Sequence, residues 1–280
     1  MSAVAELTRE LTVRTDDGAD LAVTVLAPLA GTTPAGDVVL LHGWAHSRRA
    51  WGTVTDRLIR AGHRVVLYDH RGHGASTLGR TPVSPERLAA DLAAVLGETG
   101  AREAVLVGHS GGGFAALTYA ATQPEAARLR GLVLVGTAAH GQDTPDSEVK
   151  MMGSGLFSRA LSRPGLGRKL LSSTMGKKAD PWARELNRQL FAATLPRVRA
   201  DYFRCTRGWD VRAPLASVRV PAVVLHGDQD KVIDVALAET LADVLPAARF
   251  EVVPDTGHML LLERPLLVVS AVAELSARGR

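Results

Sequence analysis

The sequence predicts an α/β protein with a doubly wound, mostly parallel central sheet. Three observations predict it. Short β-branched apolar runs recur along the 280 residues, amphipathic helical stretches separate them, and the alternation stops once before it resumes. Near-continuous apolar runs suit strands covered on both faces, and strands alternating with helices imply parallel pairing through right-handed crossovers.

LAVTVLAP (21–28) alternates as an exposed or antiparallel strand does. VVLLHG (38–43) is the first continuous run, followed by a helical pattern at about 50–61 and a strand RVVLYD (64–69). A helix over about 85–97 has Ser84 before it and Pro85 at its first position, where a missing N–H costs nothing. AVLVGH (104–109) leads directly into a Gly- and Ala-rich helix at about 111–122, and LVLVGT (132–137) is the last strand before the break. From about 137 to 215 the chain lacks strand runs and carries helical spacings such as Leu186/Leu190 and Arg184/Arg188. AVVLHG (222–227), a helix at about 235–245, RFEVVP (249–254) and a helix at about 264–277 complete the pattern. Residues 1–137 and 216–280 are thus expected to form the two parts of one core, with 138–215 a helical insertion between them.

Composition removes several classes of function. Hydrophobic residues at 46% and charged residues at 22% exclude a disordered chain. The single cysteine, Cys205, excludes an internal disulfide and a cysteine-based zinc site, and fits a reducing compartment. The stretch MSAVAELTRELTVRTDDGADLAV has no basic region leading into an apolar one, so no signal peptide is expected. No run approaches the ~18 apolar residues of a membrane span, and a cytoplasmic location is expected. The formal charge of +4 is uneven: residues 137–213 hold 14 Lys and Arg against 7 Asp and Glu. Basic and aromatic residues are not interleaved, so no nucleic acid is expected. The surplus is either a solvated helical surface or an attractor for an anionic substrate, an acidic acyl carrier or a membrane surface.

One serine stands out. Gly108-His109-Ser110-Gly111-Gly112 is a G-x-S-x-G placed after a strand and before a helix, the setting that motif requires. The turn strains the serine backbone, needs small neighbours, and presents the hydroxyl at the carboxyl edge of the sheet. A serine nucleophile needs a base, and the base an orienting acid. LHGDQD (225–230) and VVPDTGHM (252–259) supply them at the carboxyl ends of later strands, where open α/β sheets build their sites. His258 is the expected base. Asp230, past the Gly227-Asp228 turn, is preferred over Asp228 as the acid. Asp234 reads as a helix N-cap, and Asp255 as a turn residue or a local electrostatic neighbour with no catalytic role. The oxyanion needs two preorganised donors. The N–H of Gly111 is one and that of Trp44, after His42-Gly43, the other; the Trp44 indole either walls a pocket or packs the core.

The remaining histidines have plainer readings. His70 and His73 hold the DHRGHG turn, His42 and His226 bond to loop backbone, and His46, His63 and His140 have no nameable partner. No cluster has metal-ligand spacing, and no glycine loop has the setting of a dinucleotide site, so neither metal nor cofactor is expected.

These motifs resemble the α/β-hydrolase superfamily over almost the whole chain. LLHGW (40–44) is similar to its oxyanion loop and YDHRGHGAS (68–76) to its D-x-R-G-x-G-x-S turn. GHSGG resembles its nucleophile elbow, GDQD (227–230) its acid loop and GH (257–258) its histidine loop. The resemblance implies Ser110, Asp230 and His258 as triad, Trp44 and Gly111 as oxyanion donors, and residues 138–215 as a mobile helical cap. Many relatives carry proline where this chain has Asp234. A serine nucleophile argues against haloalkane dehalogenases and epoxide hydrolases, which need a carboxylate.

The expected activity is cleavage of a carboxylic ester of a moderately apolar small molecule through an acyl-enzyme, an alkoxide leaving more easily than an amine. A thioesterase or lactone-forming enzyme, a C–C bond hydrolase and a perhydrolase use the same machinery. A non-catalytic ligand-binding protein on the same scaffold is the reading from another class. Apolar insertion residues, among them Leu156, Phe157, Trp182, Phe191, Phe203 and Trp209, are expected to line a pocket or pack the insertion to the core.

Overall fold

The computed structural model describes residues 8–277; the first seven residues of the N-terminal stretch read above lie outside them. One eight-stranded sheet forms, in the order β1-β2-β4-β3-β5-β6-β7-β8. The strands are β1 (Thr8–Arg14), β2 (Asp20–Leu26), β3 (Gly36–Leu41), β4 (His63–Tyr68), β5 (Val105–His109), β6 (Gly131–Val135), β7 (Ala222–Gly227) and β8 (Ala248–Val253). β1 pairs antiparallel with β2, and β2 with β4; every other pairing is parallel.

The continuous apolar runs follow from burial on both faces. Leu106 of β5 packs into one core layer while its neighbours Val105 and Val107 pack into the other, and the same alternation divides Leu134 from Val133 and Val135 on β6. One layer holds α2 (Pro85–Thr99), α3 (Gly111–Thr122) and α10 (Val235–Val244). The other holds α1 (Gly52–Arg60), the short α11 (Leu260–Glu263) and α12 (Pro265–Ala277). Each fully buried Leu or Val contributes roughly 1.5–3 kcal/mol by leaving water. α2 starts as expected, with Ser84 Oγ accepting the Arg87 N–H at 3.1 Å.

Local boundaries differ from expectation where packing, not pattern, sets them. The helix expected at about 50–61 is two pieces, a 3₁₀ turn over Arg48–Trp51 and then α1, whereas that expected at about 264–277 is the single helix α12, with the short α11 an unexpected addition before it. β1 was not expected: it is an edge strand with few buried residues, held in register by β2 from Thr8↔Leu26 to Arg14↔Asp20.

Between β6 and β7 the chain makes a helical excursion: α4 (Asp146–Met152), α5 (Gly155–Leu161), α6 (Pro164–Leu170), α7 (Pro181–Ala193), α8 (Pro196–Arg204) and α9 (Arg212–Leu215). Its base is closed by an antiparallel bridge, His140 to Asp210, with Val211 N–H donating to Ala139 O at 3.0 Å and Gly141 N–H to Trp209 O at 2.8 Å. Its centre is Arg199, fully buried with no carboxylate partner among the described residues, whose guanidinium donates to the carbonyls of Met152, Phe191 and Thr194 and to Ser158 Oγ. Leu156 and Trp182 depart from the packing role expected of them, being 79% and 63% exposed. Trp209 instead enters the main core, donating its indole N–H to Thr118 Oγ1 at 3.1 Å.

Among the described residues no helix is long and apolar enough to cross a membrane.

Candidate active site

Ser110 stands between β5 and α3 with φ 50° and ψ −119°. A left-handed φ in a non-glycine residue is strained and persists only where the surroundings fix it. Here they do. The Ser110 N–H donates to Val135 O at 2.9 Å, and its carbonyl accepts the Gly113 N–H at 2.8 Å and the Thr137 hydroxyl at 2.9 Å. Two glycines make the turn possible. A Cβ on Gly108 would stand 2.7 Å from Gly113 Cα, and one on Gly111 would overlap the Trp44 indole.

The expected base and acid meet directly. His258 Nδ1–H donates to Asp230 Oδ2 at 2.8 Å, which leaves Nε2 with its lone pair. The other oxygen, Oδ1, accepts the N–H groups of Val232 (2.7 Å) and Ile233 (3.1 Å). Burial works to raise the Asp230 carboxyl, but His258, His226 and the Ile233 N–H outweigh it and hold it below its ordinary value. Asp228 does not face the imidazole: its Oδ1 accepts the Thr256 N–H at 3.1 Å and ties the acid loop to the histidine loop. Asp234 caps α10, accepting the Ala236 N–H at 2.9 Å.

Ser110 and the pair converge on one edge through the tips of β5 and β6. A Cβ on Gly136, just past β6, would lie 3.3 Å from His258 Nδ1 and 3.5 Å from Asp230 Oδ2. His109 Nε2–H donates to the His258 carbonyl at 3.0 Å, so the residue beside the serine holds the main chain of the imidazole. Between the hydroxyl and His258 itself no hydrogen bond closes among the described residues. Such contacts are commonly long without substrate and tighten once it binds.

Opposite them runs the loop after β3. A Cβ on Gly43 would come within 3.3 Å of Ser110 Cβ, so the Gly43–Trp44 backbone borders the hydroxyl. The peptides flanking Trp44 are clamped. His46 Nδ1–H donates to the Trp44 carbonyl at 2.9 Å, and the next N–H, that of Ala45 (φ 58°), donates to His73 Nε2 at 3.0 Å. His42 Nδ1–H donates to Gly43 O at 2.7 Å, and His42 Nε2 accepts the His70 N–H at 2.9 Å. Gly111 is the first residue of α3, so its N–H has no intrahelical acceptor. Burial lowers the affinity of His42, His70, His73 and His109 for protons, His70 to about 3; the rings of His42, His73 and His109 act as neutral hydrogen-bonding struts, while that of His70 packs against His42 and Tyr68. The Trp44 ring packs edge-on against Phe114 and Tyr202, with centroids 5.3 and 5.7 Å away, and is partly buried.

Four contributors had no readable signal. His46, expected to lack a partner, bridges to the excursion, its Nε2 facing Asn187 Oδ1 on α7 at 2.9 Å. Asn187 lies 141 residues away in the chain. His109 occupies a variable position of its motif. Glu263 accepts the N–H of Gly257 (3.1 Å) and of Gly176 (2.9 Å), fastening the histidine loop to the excursion. Asp255, expected as a turn residue or an electrostatic neighbour, is both: its φ is 52°, and it pairs with Lys178 Nζ at 2.6 Å across the same seam.

A largely parallel sheet with an antiparallel start, a strained serine after its fifth strand and an Asp–His pair on its last two is the architecture of the α/β hydrolases. The chain belongs to the family described as Hydrolase_4, serine aminopeptidase S33, which it matches over residues 32–265. It is 31% identical over 245 residues to a pimeloyl-[acyl-carrier protein] methyl ester esterase of Aromatoleum aromaticum, covering 82% of this chain and 93% of that one. It is 27% identical over 239 residues to a non-heme haloperoxidase of Rhodococcus erythropolis, covering 79% and 85%. Among solved structures, an esterase from Rhodococcus sp. ECU1013 superposes with a TM-score of 0.81 at 27% identity, covering 96% of this chain and 98% of the other. The protein is an α/β-fold hydrolase.

Proposed function

We propose that Ser110, His258 and Asp230 act as nucleophile, base and orienting acid in the hydrolysis of a carboxylic ester of a moderately apolar small molecule. His258 Nε2 takes the hydroxyl proton as Ser110 Oγ attacks the ester carbonyl. The N–H groups of Trp44 and Gly111 receive the developing oxyanion, and Asp230 offsets the charge of the imidazolium. Collapse of the tetrahedral intermediate breaks the bond to the alcohol, which leaves with the proton from His258. Water, deprotonated by the same imidazole, then releases the acid from Ser110.

The observation that carries this reading is the 2.8 Å His258–Asp230 bond, with the His258 carbonyl fixed by the residue adjoining the strained serine. Support for an apolar substrate comes from the excursion, which we take to be a cap. Met152, Leu161, Leu171 and Phe191 cluster with Ala45 beside the oxyanion loop, and Phe203 stands 6.2 Å from the Trp44 ring. The test is a series of p-nitrophenyl esters. Each added methylene is worth about 0.8 kcal/mol when buried, so kcat/KM is expected to rise roughly fourfold per CH₂ from acetate to hexanoate. Equal turnover along the series would remove the apolar pocket from the proposal.

Two substitutions separate the aspartates. Asp230→Asn is expected to lower kcat by about 10⁴, because an amide no longer holds the Nδ1–H tautomer. Asp228→Asn, at a side chain that bonds the Thr256 N–H and not the imidazole, is expected to stay within about tenfold of the parent. Initial rates on one ester decide it, and the reverse ranking would move the acid to Asp228.

A further inference from the structure

The basic surplus of the excursion is not used by this chemistry, and it is concentrated. Residues 150–173 contain Lys150, Arg159, Arg163, Arg168 and Lys169 and not one Asp or Glu. Of these, Arg168 is paired, with Glu185 at 2.8 Å. The same stretch exposes its apolar side chains: Leu156 is 79% exposed, and Leu166 and Leu170 are each about two-fifths exposed. Leu156, Arg159, Ala160 and Arg163 fall at helical spacing along one face of α5 and just beyond it. With Leu166 of α6 they surround a shallow depression of about 280 Å³. Two leucines and two guanidinium groups without an ion-pair partner among the described residues therefore share one small surface.

We infer that this face of α5 and α6 docks the enzyme onto an anionic phospholipid surface. The leucines enter the interface and Arg159 and Arg163 take lipid phosphates. Cations among exposed apolar side chains are what an interfacial surface needs: neither signal alone gives stable attachment, and the two together do. Arginine suits the second part because its fork meets two phosphate oxygens at once. An acidic protein surface would satisfy the charges but leaves the protruding Leu156 without a purpose. The inference is independent of Ser110 and of the ester assigned to it.

Co-sedimentation of the full chain with vesicles tests it. Vesicles of phosphatidylcholine with roughly a third phosphatidylglycerol are expected to retain the protein at low salt, and pure phosphatidylcholine to retain at least tenfold less. Arg159→Gln with Arg163→Gln is expected to weaken retention roughly thirtyfold, and Leu156→Ser with Leu166→Ser, at unchanged charge, roughly tenfold. All four positions lie on the surface, so an unchanged Tm in each pair verifies the fold. Equal binding to both vesicle types, or undiminished binding by either pair, would overturn the inference. So would failure to bind vesicles together with saturable binding to an acidic acyl carrier protein, which would assign the face to that partner instead.

Discussion

Ser110→Ala is expected to lower kcat for an activated ester by about a millionfold, with no loss of Tm. The size follows from removing the only atom that forms the acyl bond; what survives is assistance from the oxyanion donors acting on water. Alanine isolates the hydroxyl, since the molecule already holds Ala45 at φ 58°, close to the 50° of Ser110. Labelling by a fluorophosphonate should disappear with the activity. A companion, Ser110→Gly, reads the strain. Glycine accepts a left-handed φ freely, so the variant should be equally inactive yet as stable as the parent, or more so by up to about 1 kcal/mol. Substantial turnover by either variant would remove Ser110 from the chemistry, and the proposed mechanism with it.

The second large effect is on stability, at Arg71. This guanidinium is fully buried and makes two bidentate contacts, with Asp17 (2.8 and 3.0 Å) and Asp91 (2.7 and 2.7 Å). It locks β4's exit turn to the turn after β1 and to α2. Arg71 holds the Asp17 carboxyl well below the usual range, while burial pushes that of Asp91 up. Arg71→Ala leaves two buried carboxylates facing each other, Asp17 stripped of its guanidinium partner and Asp91 with Arg87 at 3.3 Å in place of a bidentate one. The expected cost is about 3–5 kcal/mol, or a fall in Tm on the order of 10 °C. Thermal unfolding of Arg71→Ala beside a triple variant with Asp17→Asn and Asp91→Leu measures it. The triple variant should recover part of the loss, because the penalty lies in the stranded charges rather than in a missing attraction. A loss below about 1 kcal/mol in the single variant would make the network an ordinary surface ion pair.

The central sheet was legible because burial on both faces leaves a mark in the chain. Val105, Leu106 and Val107 are all apolar since each face of β5 has a helix over it. β1 left no such mark, because an edge strand needs only its partner's backbone to define it. Asp230 was legible by position, one turn beyond a glycine at a strand end, and the same spacing separated it from Asp228. The supports were not. His46 and Asn187, or Glu263 and Gly176, meet only after the excursion folds back, and no local pattern encodes a contact between distant segments. The histidines at the carboxyl edge illustrate both cases. Local bonds of His42 to Gly43 and of His226 to Ile233 were foreseeable, whereas the reach of His73 to Ala45 depends on two loops stacking.

The order in which the strands enter the sheet has a consequence for biosynthesis. The serine elbow follows β5, near the middle of the chain, while Asp230 and His258 arrive on β7 and β8, the last strands made. A chain that ends before residue 222 holds Ser110 but neither Asp230 nor His258. On the proposed triad, such a nascent or prematurely terminated product carries the alcohol without the base that would activate it.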